Sequence, residues 1–222
     1  MRASAHQTDT LEYVFVRPDD YDPGRKYPVI VLLHGFSGNM LRFAGMAPDI
    51  NETDYVYVCP NAPFAVSLGG RGSSWAGGGV PGLPGQGATA EDLLDAFFGE
   101  LAERISVEAG RMVIGGISQG GGMALQYGLP RPDKFAGVVA VAAVFRDVPD
   151  LQLPPQRNQA IFIAHGLDDY MVAIEESRAA KQVFEGMGYK PFYKEYPMGH
   201  EMSPEVLRDL GIWLREVLPP TT

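Results

Sequence analysis

The chain has 222 residues, 45% of them hydrophobic and 20% charged, a composition typical of a globular protein that excludes a disordered one. Eighteen Lys and Arg residues against 27 Asp and Glu residues give a net charge of −9. Because nucleic-acid binders normally carry a basic stripe, the charge argues against nucleic acid and anionic membranes as partners.

The length fits one domain over residues 1–222. The single cysteine, Cys59, cannot form an internal disulfide, and the N-terminus lacks the apolar core of a signal peptide. No stretch approaches the roughly 18 apolar residues of a membrane span. We therefore expect a cytoplasmic protein without integral membrane association, and the sequence allows either a monomer or a homodimer.

Apolar runs typical of buried strands alternate with helical patterns along most of the chain. This alternation predicts an α/β fold with a mostly parallel central sheet and helices on both faces. The polar N-terminus, with His6, is expected to lie upstream of the folded pattern. The predicted strands are 11–17, 27–33, 55–59, 111–115, 135–143, 160–164 and 192–196. The predicted helices are 89–105, 119–127, 174–187 and 203–217.

Residues 68–87 form a long Gly- and Pro-rich segment without periodicity. A loop of this length in a compact domain is usually functional or disordered. Trp75 in its middle is costly to leave in water, which favours a place beside a substrate site. A surface excursion is the alternative.

A candidate nucleophile lies in the segment Gly116–Gly120, which matches G-x-S-x-G around Ser118. An apolar strand enters the motif and a helix follows it directly, which is the context that the motif requires. Glycines flank the serine because larger side chains would collide in so tight a turn, and the helix N-terminus stabilises developing negative charge. The alternative is a close helix–sheet contact with an incidental serine.

The general base is predicted from only four histidines. His200 comes after the nucleophile, in a loop between the last strand and the last helix, where a Ser–Asp–His chain order places it. His165 also follows Ser118, but its place at a strand end suits a structural role. For the acid, two adjacent aspartates follow a strand, and we favour Asp169 over Asp168.

The oxyanion hole requires backbone N–H groups, which the sequence indicates only by position. One is expected from Gln119, directly after the nucleophile, and the other from Phe36, in the loop after the first His-Gly pair.

Several segments resemble the phospholipase/carboxylesterase branch of the α/β-hydrolase fold, which includes the acyl-protein thioesterases. The resemblance implies a Ser118, Asp169 and His200 triad that hydrolyses carboxylic esters or thioesters without a cofactor or metal. Two positions depart from the family: Ala173 stands where Pro is frequent, and Ser37-Gly38 stands where Gly-Asp is frequent. The resembling segments are LLHGFSGN, VCPNAP, SSW, GGISQGG, HGLDDYMV and MGHEMSPE.

The sequence thus predicts a serine carboxylesterase, without a separate cap domain, that acts on small-molecule esters of short to medium chain length through an acyl-enzyme. Leu68, Trp75 and Val172 are expected to bind the substrate, with Phe36 beside them. The alternatives are an acyl-protein thioesterase or lysophospholipase, a serine peptidase, and a non-catalytic ligand-binding module on the same fold.

Overall fold

The computed structural model describes residues 1–66, 72–77, 87–105, 110–145, 151–155 and 157–221. The strands in these ranges are β1 (Arg2–Gln7), β2 (Glu12–Arg17), β3 (Val29–Leu33), β4 (Val56–Pro60), β5 (Phe64–Ala65), β6 (Ser73–Ser74), β7 (Met112–Ile117), β8 (Phe135–Val141), β9 (Ala160–Gly166) and β10 (Phe192–Tyr196). The helices are α1 (Met40–Ala44), α2 (Ala47–Ile50), α3 (Ala90–Arg104), α4 (Gln119–Gly128), α5 (Ile174–Gly186) and α6 (Pro204–Val217).

Eight strands form one sheet in the order β1-β2-β4-β3-β7-β8-β9-β10. The six strands from β4 to β10 in this order run parallel, and β2 is antiparallel to both of its neighbours. Strands β5 and β6 pair separately as a short antiparallel hairpin. This mostly parallel sheet confirms the predicted fold class. The carboxyl ends of the parallel strands share one edge, where α/β folds place their ligands.

Helices cover both faces of the sheet, and each face has its own apolar core. Helices α1, α2 and α6 pack on one face, where Phe43, Ile50 and Trp213 are buried. Helices α3, α4 and α5 pack on the other, where Phe97 and Phe184 are fully buried. Among the described residues, no helix is long and apolar enough to cross a membrane.

The helix ends follow the signals in the sequence. Thr89 and Asp92 form a reciprocal capping box at the start of α3, and the Ser203 hydroxyl caps α6 ahead of Pro204. Gly188, just past α5, has a φ of +92°, a conformation that glycine adopts without strain.

The expectation that the N-terminus lies upstream of the folded pattern is wrong. Residues Arg2–Gln7 form β1, an edge strand that pairs along its length with β2, and the His6 ring stacks on Tyr13 at 5.3 Å. Five of the six residues are exposed. Because backbone hydrogen bonds hold such a strand to the sheet edge, it needs no apolar alternation that a sequence pattern could reveal.

Candidate active site

Ser118 occupies the turn between β7 and α4 with a φ of 55° and a ψ of −124°. Positive φ is rare for residues other than glycine and costs about 1–3 kcal/mol, so the surrounding structure must impose it. The Ser118 N–H donates to the Val141 carbonyl at 2.9 Å, and its carbonyl accepts from the Gly122 N–H at 3.0 Å. The serine is therefore held from both sides at the N-terminus of α4.

The two motif glycines allow β3 to pass close to this turn. A Cβ atom built on Gly116 would lie 2.3 Å from the Leu33 carbonyl oxygen and 2.7 Å from the Gly120 carbonyl carbon. A Cβ on Gly120 would lie 2.3 Å from the same Leu33 oxygen and 2.4 Å from the His34 oxygen. Both glycines are thus required by backbone contacts, as the steric account of the motif predicts.

Asp169 and His200 meet above the ends of β9 and β10. The His200 Nδ1 and the Asp169 Oδ2 are 2.8 Å apart, and the carboxylate is fully enclosed. Asp169 Oδ1 accepts hydrogen bonds from the N–H groups of Met171 at 2.8 Å and Val172 at 3.0 Å. Burial raises the pKa of Asp169, but the hydrogen bonds from Val172, His200 and Met171 outweigh it and hold that pKa below its usual value. The carboxylate is therefore the charged form.

The neighbouring Asp168 is exposed, its backbone N–H donates to the Met198 carbonyl at 3.1 Å, and its side chain has no hydrogen bond among the described residues. The geometry thus brings Asp169, and not Asp168, to the histidine. Because a carboxylate oxygen accepts, the Nδ1 of His200 carries the proton. The Nε2 of the neutral ring then has the free lone pair that a general base needs.

Ser118 and His200 line the same cavity, which has a volume of about 220 Å³. Among the hydrogen bonds of the described residues, none joins the Ser118 hydroxyl to His200. Such nucleophile–base contacts are often long in structures without substrate. The remaining wall combines apolar side chains with one cation and one anion: Phe36, Phe43, Met46, Ile117, Met171 and Met202, with Arg42 and Glu201.

The oxyanion candidates come from two turns: Phe36 lines this cavity, and Gln119 directly follows Ser118, which also lines it. Phe36 is 60% exposed in the turn after β3, and Gln119 is the first residue of α4. In the described part of the chain, neither N–H donates to a protein acceptor. The turn is fixed by the Gly38 N–H, which donates to Gly35 O, and by the Ser37 N–H, which donates to Ser73 O, both at 3.0 Å. Both candidate N–H groups are therefore available to a ligand.

The backbone conformation of Ser37 bears on one departure from the family, the Ser37-Gly38 pair. Its φ is 57°, a left-handed conformation that glycine adopts more readily than serine. The glycine that the family resemblance implies at this position would match this conformation, and this chain holds serine there instead.

Trp75 lies in the core, only 3% exposed, and is not among the described residues that line the cavity. Its indole Nε1 donates to the His34 carbonyl at 2.8 Å, and its backbone N–H donates to the Gln119 side-chain oxygen at 3.0 Å. The Gln119 amide also donates to the Ser74 hydroxyl at 2.9 Å. Trp75 therefore anchors its segment to the turn after β3 and to the start of α4, the two places that carry the oxyanion candidates.

The His34 ring, which lies beside Trp75, is held by hydrogen bonds on both of its nitrogens. Its Nε2 accepts from the Ala62 N–H at 3.0 Å, so its Nδ1 carries the proton and donates to the Gly35 carbonyl at 2.8 Å. Burial lowers the pKa of His34 despite the hydrogen bond to Gly35. The ring is therefore neutral at pH 7 and supports the turn that presents Phe36.

Val172 and Leu68, the other two predicted substrate-binding residues, are not among the described residues that line the cavity. Val172 is half-buried, holds Asp169 through its N–H, and is not among the described cavity-lining residues. Leu68, like most of the 68–87 loop, lies outside the described residues. Two earlier aspartates that also lie between Ser118 and His200 in the sequence, Asp147 and Asp150, lie outside the described residues as well.

The sequence interpretation missed the cavity residues that come from α1 and from the loop after His200. Arg42 and Met46 lie on or next to a five-residue helix, and Glu201 and Met202 follow the base directly. The available signal was Asn39, whose side chain caps α1 by accepting from the Leu41 and Arg42 N–H groups. A helix this short has too little periodicity to be predicted.

Ala173, the other departure from the family, has a φ of −64°, which is the angle that proline imposes. Among the described residues its N–H has no acceptor. We expect Ala173→Pro to raise the free energy of unfolding by about 0.4–1 kcal/mol, because proline restricts the unfolded chain. Urea denaturation measures the effect. Ala179→Pro, inside α5, is the control and should cost about 3 kcal/mol; equal losses for both would contradict the prediction.

The chain belongs to the phospholipase/carboxylesterase family, whose model matches residues 22–218. It is 30% identical over 177 residues to acyl-protein thioesterase 1 of Gibberella zeae, which covers 72% of this chain and 75% of that protein. It is 29% identical over 179 residues to carboxylesterase SOBER1 of Arabidopsis thaliana, covering 73% and 77% of the two chains. The crystal structure of SOBER1 superposes with a TM-score of 0.71 at 24% identity, over 86% of this chain and 99% of that one.

These matches confirm the family resemblance, and the structural match confirms the fold. The protein is a serine hydrolase of the acyl-protein thioesterase/carboxylesterase type, and hence a carboxylic ester hydrolase. A purely ligand-binding role on this fold is thereby set aside.

Proposed function

We propose that the protein is a carboxylesterase that hydrolyses short- to medium-chain carboxylic esters with Ser118 as nucleophile, His200 as general base and Asp169 as the orienting acid. The observation that carries the proposal is the His200–Asp169 hydrogen bond of 2.8 Å beside a cavity that the strained Ser118 also lines. These are the roles that nucleophilic acyl transfer requires.

The reaction has two halves. His200 Nε2 takes the proton of the Ser118 hydroxyl as the oxygen attacks the ester carbonyl, and the N–H groups of Phe36 and Gln119 bind the oxyanion. His200 then returns the proton to the leaving alcohol, and the acyl-enzyme remains. Water attacks this ester with His200 again as base, and the carboxylic acid leaves as Ser118 regains its proton. Asp169 stays ionised throughout and stabilises the protonated ring.

The cavity supports a small acyl group. Its volume of about 220 Å³ lies below the roughly 300–1,000 Å³ of pockets for drug-sized ligands. Phe43, Met46 and Met202 give it apolar walls. A short acyl chain fits such a space, whereas the exposed Phe36 and Met171 at 60% and 64% would meet a longer chain only at the surface.

A thioester substrate is the second candidate. It is favoured by the match to acyl-protein thioesterase 1 of Gibberella zeae over most of both chains. The proposed chemistry is the same, with a thiol in place of the alcohol as leaving group. Activity without a cofactor and a cytoplasmic location remain predictions from the sequence.

The test combines labelling with a substrate series. A serine-directed organophosphate should give one adduct on Ser118 by mass spectrometry and abolish p-nitrophenyl ester hydrolysis. Ser118→Ala should lower kcat by about 10³-fold or more, whereas Ser4→Ala, on the far edge strand, should keep both labelling and rate. Full activity in Ser118→Ala, or no adduct on folded protein, would overturn the proposal. Matched esters and thioesters from acetyl to palmitoyl then decide the substrate class by kcat/KM.

A further inference from the structure

His165 is a fully buried histidine at the carboxyl end of β9 that contacts the proposed acid directly. Its Nε2 lies 3.0 Å from the Val172 carbonyl and 3.3 Å from the Asp169 Oδ2. Its Nδ1 lies 2.5 Å from the Ser177 hydroxyl on α5. One ring therefore joins β9, the acid loop and α5. His34 directly follows β3 in a similar His-Gly pair but has no contact with Asp169 among the described residues.

The contacts determine where the proton of this ring lies. The Val172 carbonyl oxygen can only accept, so Nε2 must carry a proton, and it donates that proton to Val172 beside the Asp169 carboxylate. In the tautomer with its proton on Nε2, Nδ1 accepts from the Ser177 hydroxyl. Every polar atom of this buried ring is satisfied with its Nε2–H pointed at the Val172 carbonyl and its Nδ1 at the Ser177 hydroxyl, so the ring has no equally good flipped orientation.

Asp169 consequently accepts three hydrogen bonds and has the His165 ring as a close fourth neighbour. Its Oδ1 accepts from two backbone N–H groups, and its Oδ2 accepts from His200 at 2.8 Å and faces the His165 Nε2–H at 3.3 Å. The three hydrogen bonds orient the carboxylate, and the buried His165 ring closes off the remaining side of Oδ2. Val172 takes part twice, since it donates to Asp169 and accepts from His165.

We propose that His165 is a positioning residue that fixes the Asp169 carboxylate, and through it the His200 ring, in the orientation that proton transfer requires. This inference rests on the proposed roles of Asp169 and His200. It gives a function to the second histidine downstream of Ser118, whose place at a strand end suggested only a structural role.

The test compares two amides of different reach. The side-chain nitrogen of Gln reaches about where Nε2 lies, and that of Asn reaches about where Nδ1 lies. His165→Gln should therefore keep kcat within about threefold, and His165→Asn should lower it by about 10- to 100-fold with KM little changed. Ser177→Ala is the control for a buried hydrogen bond lost on the other side of the ring, and it should reduce stability more than kcat.

Thermal unfolding of each variant separates positioning from folding. Three outcomes would each overturn the inference, since His165 would then act on the fold alone. They are equal kcat losses in the Gln and Asn variants, kcat losses that follow the unfolded fraction, and variants that do not fold at the assay temperature.

A spectroscopic measurement distinguishes this inference from the proposed function. The Nδ1–H that His200 shares with Asp169 should give a low-field proton resonance in Ser118→Ala protein, where no hydrolysis is needed. His165→Asn should shift or broaden that resonance, and His165→Gln should preserve it. An unchanged resonance in the Asn variant would overturn the inference even if Ser118 is the nucleophile. A shifted resonance without any Ser118 adduct in the wild type would overturn only the proposed function.

Discussion

Replacing Asp169 with Asn is expected to lower kcat for p-nitrophenyl esters by about 10³- to 10⁴-fold with little change in KM. Two backbone N–H groups donate to Oδ1, so the amide oxygen of the variant keeps that place. The amide nitrogen, a donor, then faces His200 Nδ1 at the former Oδ2 position. The imidazole must turn its unprotonated nitrogen toward the amide and carry its proton on Nε2. In that tautomer it cannot accept the proton of Ser118.

Asp168→Asn is the matched control, because it makes the same chemical change one residue away. The Asp168 side chain is exposed and has no hydrogen bond or ion pair among the described residues. Its kcat should stay within about twofold of the wild type. Steady-state kinetics and thermal melts of both variants provide the comparison. A large loss in the Asp168 variant, or an active Asp169 variant, would show that the acid has been assigned to the wrong aspartate.

The sequence predicted the parts of the site that are set by backbone sterics or by the topology of the sheet. The G-x-S-x-G motif predicts the Ser118 turn because the close approach of β3 admits no side chain at either glycine. The meeting of Asp169 and His200, 31 residues apart, follows from a rule of topology, since both loops leave the carboxyl ends of adjacent parallel strands. Neither inference needs knowledge of side-chain packing.

The parts that the sequence left open depend on packing between distant segments. Nothing local indicates that the Trp75 ring turns inward to bond the His34 carbonyl, so a substrate contact was an equally reasonable expectation. The edge strand Arg2–Gln7 has no apolar alternation, since most of its side chains are exposed. The His165 contacts combine a strand end, a loop carbonyl and a helix hydroxyl, which only the folded chain brings together.

Gly120→Ala is expected to lower the free energy of unfolding by about 3 kcal/mol or more. The new methyl group would lie 2.3 Å from the Leu33 oxygen and 2.4 Å from the His34 oxygen, both of them backbone atoms of β3 and its following turn. Overpacking a core costs about 1–3 kcal/mol where side chains can give way, and occasionally more. Here the backbone of the oxyanion turn must move instead, so ester hydrolysis should fall with stability.

Gly99→Ala is the control, because it should change the free energy of unfolding in the opposite direction. Both glycines lie in helices, α4 and α3, where alanine is intrinsically favoured by about 0.5–1 kcal/mol. A Cβ on Gly99 meets no atom within 4 Å, so this variant should be more stable than the wild type by about that amount. Urea denaturation should thus move the two midpoints in opposite directions. A Gly120→Ala protein as stable as the wild type would mean that β3 does not hold Ser118 in its strained turn.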